Sequence, residues 1–179
     1  MSQEDLARRV RNVALLLMDV DGVLTDGRVW FVPDGGELIE VKSFNVLDGA
    51  GIALAHRVGL KTGVVSARSS PGVRKRAEEL SIEFVYLGVR DKKTALADIV
   101  RESGVAAENV CFMGDEVVDL PAMTRVGFPV AVANAVPEVR SRAAYVTEAS
   151  GGNGAVREVI ELILKEQGKW DGAIEEFLK

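Results

Sequence analysis

The clearest indication of the fold of this 179-residue chain is the sequence V-A-L-L-L-M-D-V-D-G-V-L-T-D, from Val13 to Asp26. It begins with an unbroken apolar run, which is typical of a strand buried on both faces of a parallel sheet. Asp19 and Asp21 follow at the carboxyl end of this predicted strand, where open α/β sheets bind their ligands. Because two neighbouring carboxylates repel each other, we expect a cation beside them, and Mg²⁺ suits such oxygen ligands.

The pattern Asp19-x-Asp21-Gly22 has a second interpretation, as an ordinary turn after a strand. Aspartate and glycine are frequent in turns, so the pattern alone favours neither interpretation. Gly22 fits both, because glycine lets the backbone turn sharply or approach a ligand closely. Polar residues at the ends of later strands favour the ligand site.

The composition indicates a globular α/β domain with aliphatic packing. Hydrophobic residues make up 47% of the chain and aromatic residues only 6%, and there are 18 glycines. The formal net charge is -5, so we expect no nucleic-acid partner, which would need a basic stripe. Cys111 is the single cysteine, which excludes a disulfide within the chain and is consistent with the cytoplasm.

The amino terminus and the apolar runs indicate no membrane association. Residues 1–5 lack the apolar region of a signal peptide. The apolar runs are shorter than the roughly 20 residues of a membrane-spanning helix. We therefore expect a protein without a membrane partner.

Predicted strands and helices alternate along the chain, which indicates a single Rossmann-like parallel sheet with helices on both faces. We expect one domain over residues 1–179, ending in a C-terminal tail at about 168–179. The predicted strands span 13–18, 61–66, 83–87, 109–114, 129–133 and 145–147. The predicted helices span 4–10, 48–57, 71–80, 92–103, 117–126, 137–142 and 155–166.

A predicted β-hairpin at about 28–42 interrupts this alternation. Two β-prone runs flank P-D-G-G at 33–36, a typical hairpin turn. The hairpin is either a flap over the site or an edge for oligomerisation. Between Asp26 and Lys61 there is room for only this hairpin and one helix.

Candidate functional residues recur just past predicted strands or at helix starts. The carboxyl ends of parallel strands meet at one edge of the sheet, and helix N-termini add backbone N–H groups there. The set provides a carboxylate nucleophile, a second carboxylate for proton transfer, Mg²⁺ ligands, a hydroxyl and a lysine. These are the parts that phosphoryl transfer needs. The residues are Asp19, Asp21, Ser66, Lys92, Asp115, Glu116 and Asp119.

These motifs carry a family resemblance. D-V-D-G-V-L-T-D at 19–26, Ser66, Lys92 and G-D-E-V-V-D at 114–119 resemble the haloacid dehalogenase superfamily of phosphatases. Within it, the chain is similar to the capless 3-deoxy-D-manno-octulosonate 8-phosphate phosphatase family over about residues 13–169. The added matches are G-E-L at 36–38, K-S-F-N-V-L-D-G-A-G-I at 42–52, V-A-V-A-N-A at 130–135 and G-G-N-G-A-V-R-E at 151–158.

The resemblance implies a Mg²⁺-dependent hydrolysis of this sugar-acid phosphate, a step of lipopolysaccharide precursor synthesis. Asp19 would attack phosphorus and form an aspartyl-phosphate. Asp21 would protonate the leaving alcohol and then activate water. Mg²⁺ would be held by Asp19, the Asp21 backbone carbonyl and Asp115, while Ser66 and Lys92 would bind the phosphoryl oxygens.

The resemblance also implies substrate contacts and an assembly. Arginines suit a substrate with a carboxylate and a phosphate. Asp119 and Glu116 would support the site. The resemblance to capless members implies a homotetramer in which a neighbour's hairpin and C-terminal tail help to close the site. The loop 151–154 would also act at a neighbour's site, in trans. The implied substrate contacts are Asn45, Val46, Leu47, Asp48, Gly49, Arg68, Arg76 and Lys92.

The chain departs from the family pattern at four positions. Ala67 stands where glycine is usual, and Glu116 replaces the commoner second aspartate. Leu47 and Ala53 stand where some members carry arginines. These last two differences leave open a related substrate, such as a nonulosonic acid 9-phosphate.

Two non-enzymatic functions are alternatives to the phosphatase. A signalling receiver domain also combines aspartates, Mg²⁺, a hydroxyl and a lysine, but its phospho-acceptor lies on a middle strand. The D-x-D spacing on the first strand argues against it. A non-catalytic oligomeric scaffold is the weakest alternative, because every residue needed for the chemistry is present.

Overall fold

A computed structural model describes residues 2–175 of the chain. Its strands are β1 (Leu15–Met18), β2 (Trp30–Asp34), β3 (Glu37–Val41), β4 (Lys61–Ser66), β5 (Phe84–Leu87), β6 (Val110–Gly114), β7 (Phe128–Ala131) and β8 (Tyr145–Val146). Its helices are α1 (Gln3–Arg11), α2 (Val46–Arg57), α3 (Pro71–Glu79), α4 (Lys92–Ser103), α5 (Leu120–Met123), α6 (Pro137–Arg140), α7 (Ala155–Glu166) and α8 (Trp170–Glu175).

The predicted first strand lies inside a six-stranded parallel sheet. The strand order is β5-β4-β1-β6-β7-β8, so β1 has a parallel neighbour on each side. Every residue of β1 is buried, because helices cover both faces of the sheet. The single parallel sheet of the α/β prediction is confirmed.

The helices form two layers around the sheet. On one face, α2 and α7 pack against each other, and α1 and α8 pack beside them. On the other face, α4 packs against α5. Right-handed crossovers account for this, because the chain moves outward from β1 to β5 and then crosses back to β6. The change of direction beside β1 creates the crevice typical of ligand sites.

The hairpin forms as predicted and pairs outside the main sheet. Strands β2 and β3 are antiparallel, with Val32 opposite Ile39, and Gly35 and Gly36 make the turn with positive φ. Large apolar side chains on both strands are exposed. Between β1 and β4 the chain contains this hairpin and α2.

Two elements differ from the prediction. The helix expected over 117–126 is split into a 3₁₀ turn at Val117–Asp119 and the short helix α5. Pro121 explains the break, because proline has no N–H to continue the helix and is favoured in a first turn. The tail contains α8, which the sequence pattern did not reveal, and residues 176–179 of the predicted tail lie outside the described residues.

Among residues 2–175, no helix combines the length and the apolar character needed to cross a bilayer.

Candidate active site

Three neighbouring strands bring the predicted residues to one edge of the sheet. Met18 of β1 lies level with Val64 of β4 and Met113 of β6. Asp19 follows at once, and its N–H donates to the Met113 carbonyl at 3.0 Å. Ser66 therefore ends the strand on one side, and Asp115 follows the strand on the other.

Lys92 joins this edge from the first residue of α4. Its ammonium lies 2.7 Å from Asp19 Oδ1 and 2.6 Å from Asp119 Oδ1, and all three side chains are buried. Although burial opposes it, the two carboxylates raise the pKa of Lys92, which keeps the ammonium charged. Lys92 thus holds the predicted nucleophile and offsets part of its charge.

The carboxylates outnumber the cations around Asp19. Asp19, Asp115 and Asp119 place oxygens within 4.8 Å of one another, and Lys92 supplies one positive charge against their three. Burial raises the pKa of Asp115 to about 8, and the charges of Asp19 and Asp119 add to the rise. Burial and Asp119 similarly raise the pKa of Asp19 to about 6.

Asp115 has the environment of a metal ligand. Its Oδ1 is buried and has no hydrogen-bond partner among residues 2–175. A buried carboxylate oxygen without a partner is costly, and a hard divalent cation would satisfy it and balance the excess negative charge. The residues present therefore fit the predicted Mg²⁺ site.

Gly22 makes the approach of Asp115 sterically feasible. Its φ is +99°, and a Cβ built there would lie 2.1 Å from Asp115 Oδ2. The wide turn Val20–Leu24 is held by Thr25, whose N–H and Oγ1 both donate to the Val20 carbonyl. The D-x-D-G pattern thus forms a turn at the end of β1, and the same turn contributes to the carboxylate cluster.

Asp119 supports the loop after β6. Its Oδ1 accepts from Lys92, and its Oδ2 accepts from the N–H groups of Asp115 and Glu116 at 3.0 and 3.2 Å. Both oxygens are therefore engaged, which favours a positioning role over metal ligation. The Glu116 side chain accepts from the N–H of Val117 and completes a capping box with Asp119.

Ser66 is buried at the end of β4. Its Oγ accepts from the backbone N–H of Arg68 at 3.2 Å, which shapes the loop after the strand. Phosphoryl binding by this hydroxyl stays a prediction.

Asp21 takes part in a group of charges that the sequence did not reveal. The Lys42 ammonium donates to Asp21 Oδ1 and lies 3.2 Å from Glu40 Oε1. Arg68 donates to Glu40 Oε2 and places Nε 3.8 Å from Asp21 Oδ2. The predicted substrate residue Arg68 therefore lies beside the predicted acid and base. Lys42 and Glu40 were missed, although Lys42 begins one of the family motifs.

The other predicted substrate residues cluster between α2 and α3. Asn45, Asp48, Gly49 and Arg76 line one crevice. Arg76 packs on Gly49, where a Cβ would lie 2.4 Å from Nη2, and pairs with Glu79 at 3.4 Å.

The start of α2 has residues with different roles. Asn45 caps the helix by accepting from the Leu47 N–H. Asp48 is buried and accepts from the N–H groups of Gly154 and Arg157 at the start of α7, a contact that stabilises the fold. Val46 and Leu47 expose their side chains. Their contact with substrate stays a prediction.

The glycine loop 151–154 packs against the catalytic turn of its own chain. Gly152 N–H donates to the Val23 carbonyl at 2.8 Å. Asn134, also missed from the sequence, donates to the Gly22 carbonyl and accepts from Gly151 N–H. A Cβ on Gly151 would lie 1.7 Å from the Gly22 carbonyl oxygen. The loop therefore supports the catalytic turn of its own chain, and the expectation that it also acts in trans stays a prediction.

Comparisons with known proteins identify the family of the chain. A family model described as haloacid dehalogenase-like hydrolase matches residues 74–160. The 3-deoxy-D-manno-octulosonate 8-phosphate phosphatase of Escherichia coli K12 is 42% identical over 94% of this chain and 88% of that protein. The chain belongs to the 3-deoxy-D-manno-octulosonate 8-phosphate phosphatase family. The phosphatase of Haemophilus influenzae strain Rd, from the same family, is 38% identical over 92% of this chain and 89% of that protein.

Solved structures of the 3-deoxy-D-manno-octulosonate 8-phosphate phosphatase family have the same fold. The Moraxella catarrhalis phosphatase, in complex with magnesium ion, phosphate ion and KDO, matches with a TM-score of 0.93 and 36% identity. The alignment covers 98% of this chain and 99% of that one. The cobalt-bound Haemophilus influenzae phosphatase matches with a TM-score of 0.87 and 39% identity, covering 96% and 99%. The predicted family is confirmed.

Proposed function

We propose that this protein is a Mg²⁺-dependent phosphatase that hydrolyses 3-deoxy-D-manno-octulosonate 8-phosphate through an aspartyl-phosphate. The observation that carries the proposal is the buried Asp19 carboxylate, which Lys92 holds beside an Asp115 oxygen that has no hydrogen-bond partner within residues 2–175. Such a site can present a carboxylate nucleophile to a dianionic phosphate, provided that its negative charge is balanced.

In the first half-reaction, an Asp19 carboxylate oxygen attacks phosphorus. The bond between phosphorus and the sugar O8 breaks, and Asp21 gives its proton to the leaving oxygen. Lys92 and Ser66 bind phosphoryl oxygens during this step. Bound Mg²⁺, held by Asp19, the Asp21 carbonyl and Asp115, would supply electrostatic stabilisation of the charge on the transferring phosphoryl group.

In the second half-reaction, the Asp21 carboxylate takes a proton from water, which attacks the phosphorus of the aspartyl-phosphate. The bond from phosphorus to the Asp19 oxygen breaks, which regenerates the nucleophile and releases inorganic phosphate. Asp21 is then protonated for the next cycle. The position of Asp21 two residues after Asp19, on a turn that departs from the strand end, supports this exchange of roles.

Arginines beside the site support a sugar-acid substrate. We assign the leaving group to the region between Arg68, at the Asp21 side, and the crevice lined by Asn45, Gly49 and Arg76. A guanidinium binds a carboxylate in a bidentate manner, which suits the acid group of this substrate.

Phosphate release tests the proposal directly. We expect Mg²⁺-dependent release from 3-deoxy-D-manno-octulosonate 8-phosphate by the wild type, and loss of release in Asp19→Asn, which keeps the side-chain shape. Asp98→Asn, on the exposed face of α4, is the matched control and should leave turnover unchanged. Equal release with and without the metal ion would contradict the proposal.

A nonulosonic acid 9-phosphate is the second candidate substrate. Leu47 favours it, because an exposed apolar side chain stands where some members carry arginine. Turnover of the two phosphates under the same conditions separates the candidates. Faster hydrolysis of the 9-phosphate would move the assignment while keeping the chemistry.

We propose that the protein is a homotetramer assembled through the hairpin. Trp30, Val32, Ile39 and Val41 share one face of β2 and β3, and each is more than 40% exposed. An apolar face of this kind marks an interaction surface. In this assembly the hairpin and the C-terminal tail of one subunit would help to close a neighbour's site, while Trp170, at the start of α8, packs under Arg157 of its own chain.

Light scattering tests this assembly. Val32→Asp places a charge on the apolar face and should reduce the mass in solution. Ala106→Asp, an exposed residue before β6, should leave the mass at that of the wild type. A wild type that already has the monomer mass would contradict the tetramer.

We also propose that residues 1–179 act as a single domain in the cytoplasm. The continuous core shared by the sheet and both helix layers supports one domain. A single buried cysteine suits a reducing compartment. Fractionation of cells that produce the protein tests its location.

A further inference from the structure

Four charged side chains form a closed ring over the catalytic turn. Lys42 bridges Asp21 Oδ1 and Glu40 Oε1, and Arg68 bridges Glu40 Oε2 and the Asp21 side of the ring. Glu40 lies in β3, Lys42 follows β3, and Arg68 follows β4. The base of the hairpin is therefore connected to Asp21 by side chains.

Lys42 is the most enclosed member of the ring. Only 1% of its side chain is exposed, against 48% for Arg68. A buried ammonium is costly unless it is paired. The partners of Lys42 are the carboxylates of Asp21 and Glu40. This side chain is therefore held at Asp21, and it does not serve as a solvated surface charge.

The contact of Lys42 distinguishes the two oxygens of Asp21. Oδ1 accepts from the ammonium, whereas Oδ2 lies 3.8 Å from Arg68 Nε, which is beyond hydrogen-bond distance. Oδ2 is therefore the oxygen that remains available to carry and exchange a proton. A side chain with two rotatable bonds would otherwise present either oxygen.

We propose that Lys42 is a positioning residue that orients the Asp21 carboxyl group, so that Oδ2 delivers the proton to the leaving oxygen and later takes one from water. Glu40 keeps Lys42 in place from the hairpin. The inference deepens the proposed function and rests on Asp21 as its acid and base. Lys42 itself forms no covalent bond, and the bonds made and broken are those of the two half-reactions above.

Leaving-group dependence tests this role. The measured quantity is kcat/KM with Mg²⁺ for aryl phosphates that range from p-nitrophenyl phosphate to phenyl phosphate. General acid catalysis typically contributes about 10²–10⁴-fold, and it matters most for poor leaving groups. We expect Lys42→Met to lose activity on phenyl phosphate while nearly retaining it on p-nitrophenyl phosphate. We expect Lys42→Arg to restore part of the loss.

A double mutant shows whether Lys42 acts through Asp21. Asp21→Asn should show the same selective loss, and adding Lys42→Met to Asp21→Asn should cause no further loss. An additional loss in the double mutant would overturn the proposal. So would an equal loss on all aryl phosphates, which a merely structural role predicts, or a rise in KM with kcat unchanged, which would make Lys42 a substrate contact.

Matched controls separate this inference from the proposed substrate. Lys165→Met removes an ammonium that pairs with Glu161 on the exposed side of α7, and it should leave the aryl series unchanged. Absence of release from 3-deoxy-D-manno-octulosonate 8-phosphate by the wild type would overturn the substrate assignment. The aryl series decides the role of Lys42 independently of that result.

Discussion

The Lys92 ammonium lies 2.6 Å from Asp119 Oδ1, with both side chains excluded from solvent. The same ammonium contacts Asp19, so Asp119 acts on the nucleophile through Lys92. Its other oxygen holds the backbone of the loop that carries Asp115. Asp119 thereby links the predicted nucleophile to the predicted metal ligand.

Asp119→Ala should therefore lose both stability and activity. Removing one partner of a buried ion pair typically costs about 3–5 kcal/mol, since the other charge stays buried. Urea unfolding and phosphate release measure the two effects. Asp98→Ala, which breaks an exposed pair with Arg101, should cost less than about 1 kcal/mol and keep activity. Similar losses in the two variants would contradict the role of Asp119.

Gly22→Ala should weaken Mg²⁺ binding more than it weakens the fold. The new methyl would overlap Asp115 Oδ2, 2.1 Å away, and displace a predicted ligand. We expect Mg²⁺ to bind about 10–100-fold more weakly, as when the surroundings of a metal ligand are disturbed. Calorimetric titration measures this change.

Gly59→Ala is the control for backbone strain. Gly59 also has a positive φ, +79°, but a Cβ there meets nothing within 4 Å in the described part of the chain. This variant should cost about 1 kcal/mol of stability and leave Mg²⁺ affinity unchanged. Equal Mg²⁺ affinity in both variants would show that the overlap at Gly22 is relieved elsewhere.

Asp48→Ala should lower stability without raising KM. The side chain accepts backbone N–H groups of Gly154 and Arg157, and loss of such a helix cap typically costs about 0.5–2 kcal/mol. Arg76→Ala, from the same crevice, should raise KM for the sugar-acid phosphate. Thermal unfolding and initial rates test both variants. A raised KM in Asp48→Ala with unchanged stability would instead support the predicted contact of Asp48 with the substrate.

Local signals explain which parts of the fold were predictable. Helix α4 begins and ends as predicted, because the Asp91 side chain caps its start and Gly104 adopts a left-handed conformation at its end. The apolar run of β1 and the D-x-D-G turn are also encoded within a few residues. The sheet edge then follows from parallel topology, which brings Asp19, Lys92 and Asp115 together.

The missed contacts depend on distant parts of the chain. Lys42 reaches Asp21 only because the hairpin folds back over the catalytic turn. The sequence pattern of the hairpin predicts its two strands but not the direction in which the hairpin folds. Asn134 bridges Gly22 and Gly151 from a loop after β7, so its role depends on three separate segments. Periodicity and spacing describe neighbours along the chain, and they carry little information about contacts between residues that are far apart in the sequence.

Removal of the divalent cation should make stability decrease as the pH rises from about 4 to about 8. Burial, together with Asp19 and Asp119, raises the pKa of Asp115 from 3.8 to about 8. Between these values the folded protein keeps a proton that the unfolded chain has released. The stability that the protonated Asp115 carboxyl contributes is therefore fully present below its pKa in the unfolded chain. It is lost as the pH rises through its pKa in the folded protein.

Urea unfolding in a chelator at pH 5 and pH 8 measures this decrease, and excess Mg²⁺ should reduce it because a cation stabilises the ionised carboxylate. Asp115→Asn cannot ionise at this position, so its metal-free stability should change less with pH than that of the wild type. The two proteins should therefore differ most in stability near pH 8, with the variant favoured in the absence of metal. Parallel stability curves for the two proteins would show that the buried charge of Asp115 is balanced without a cation.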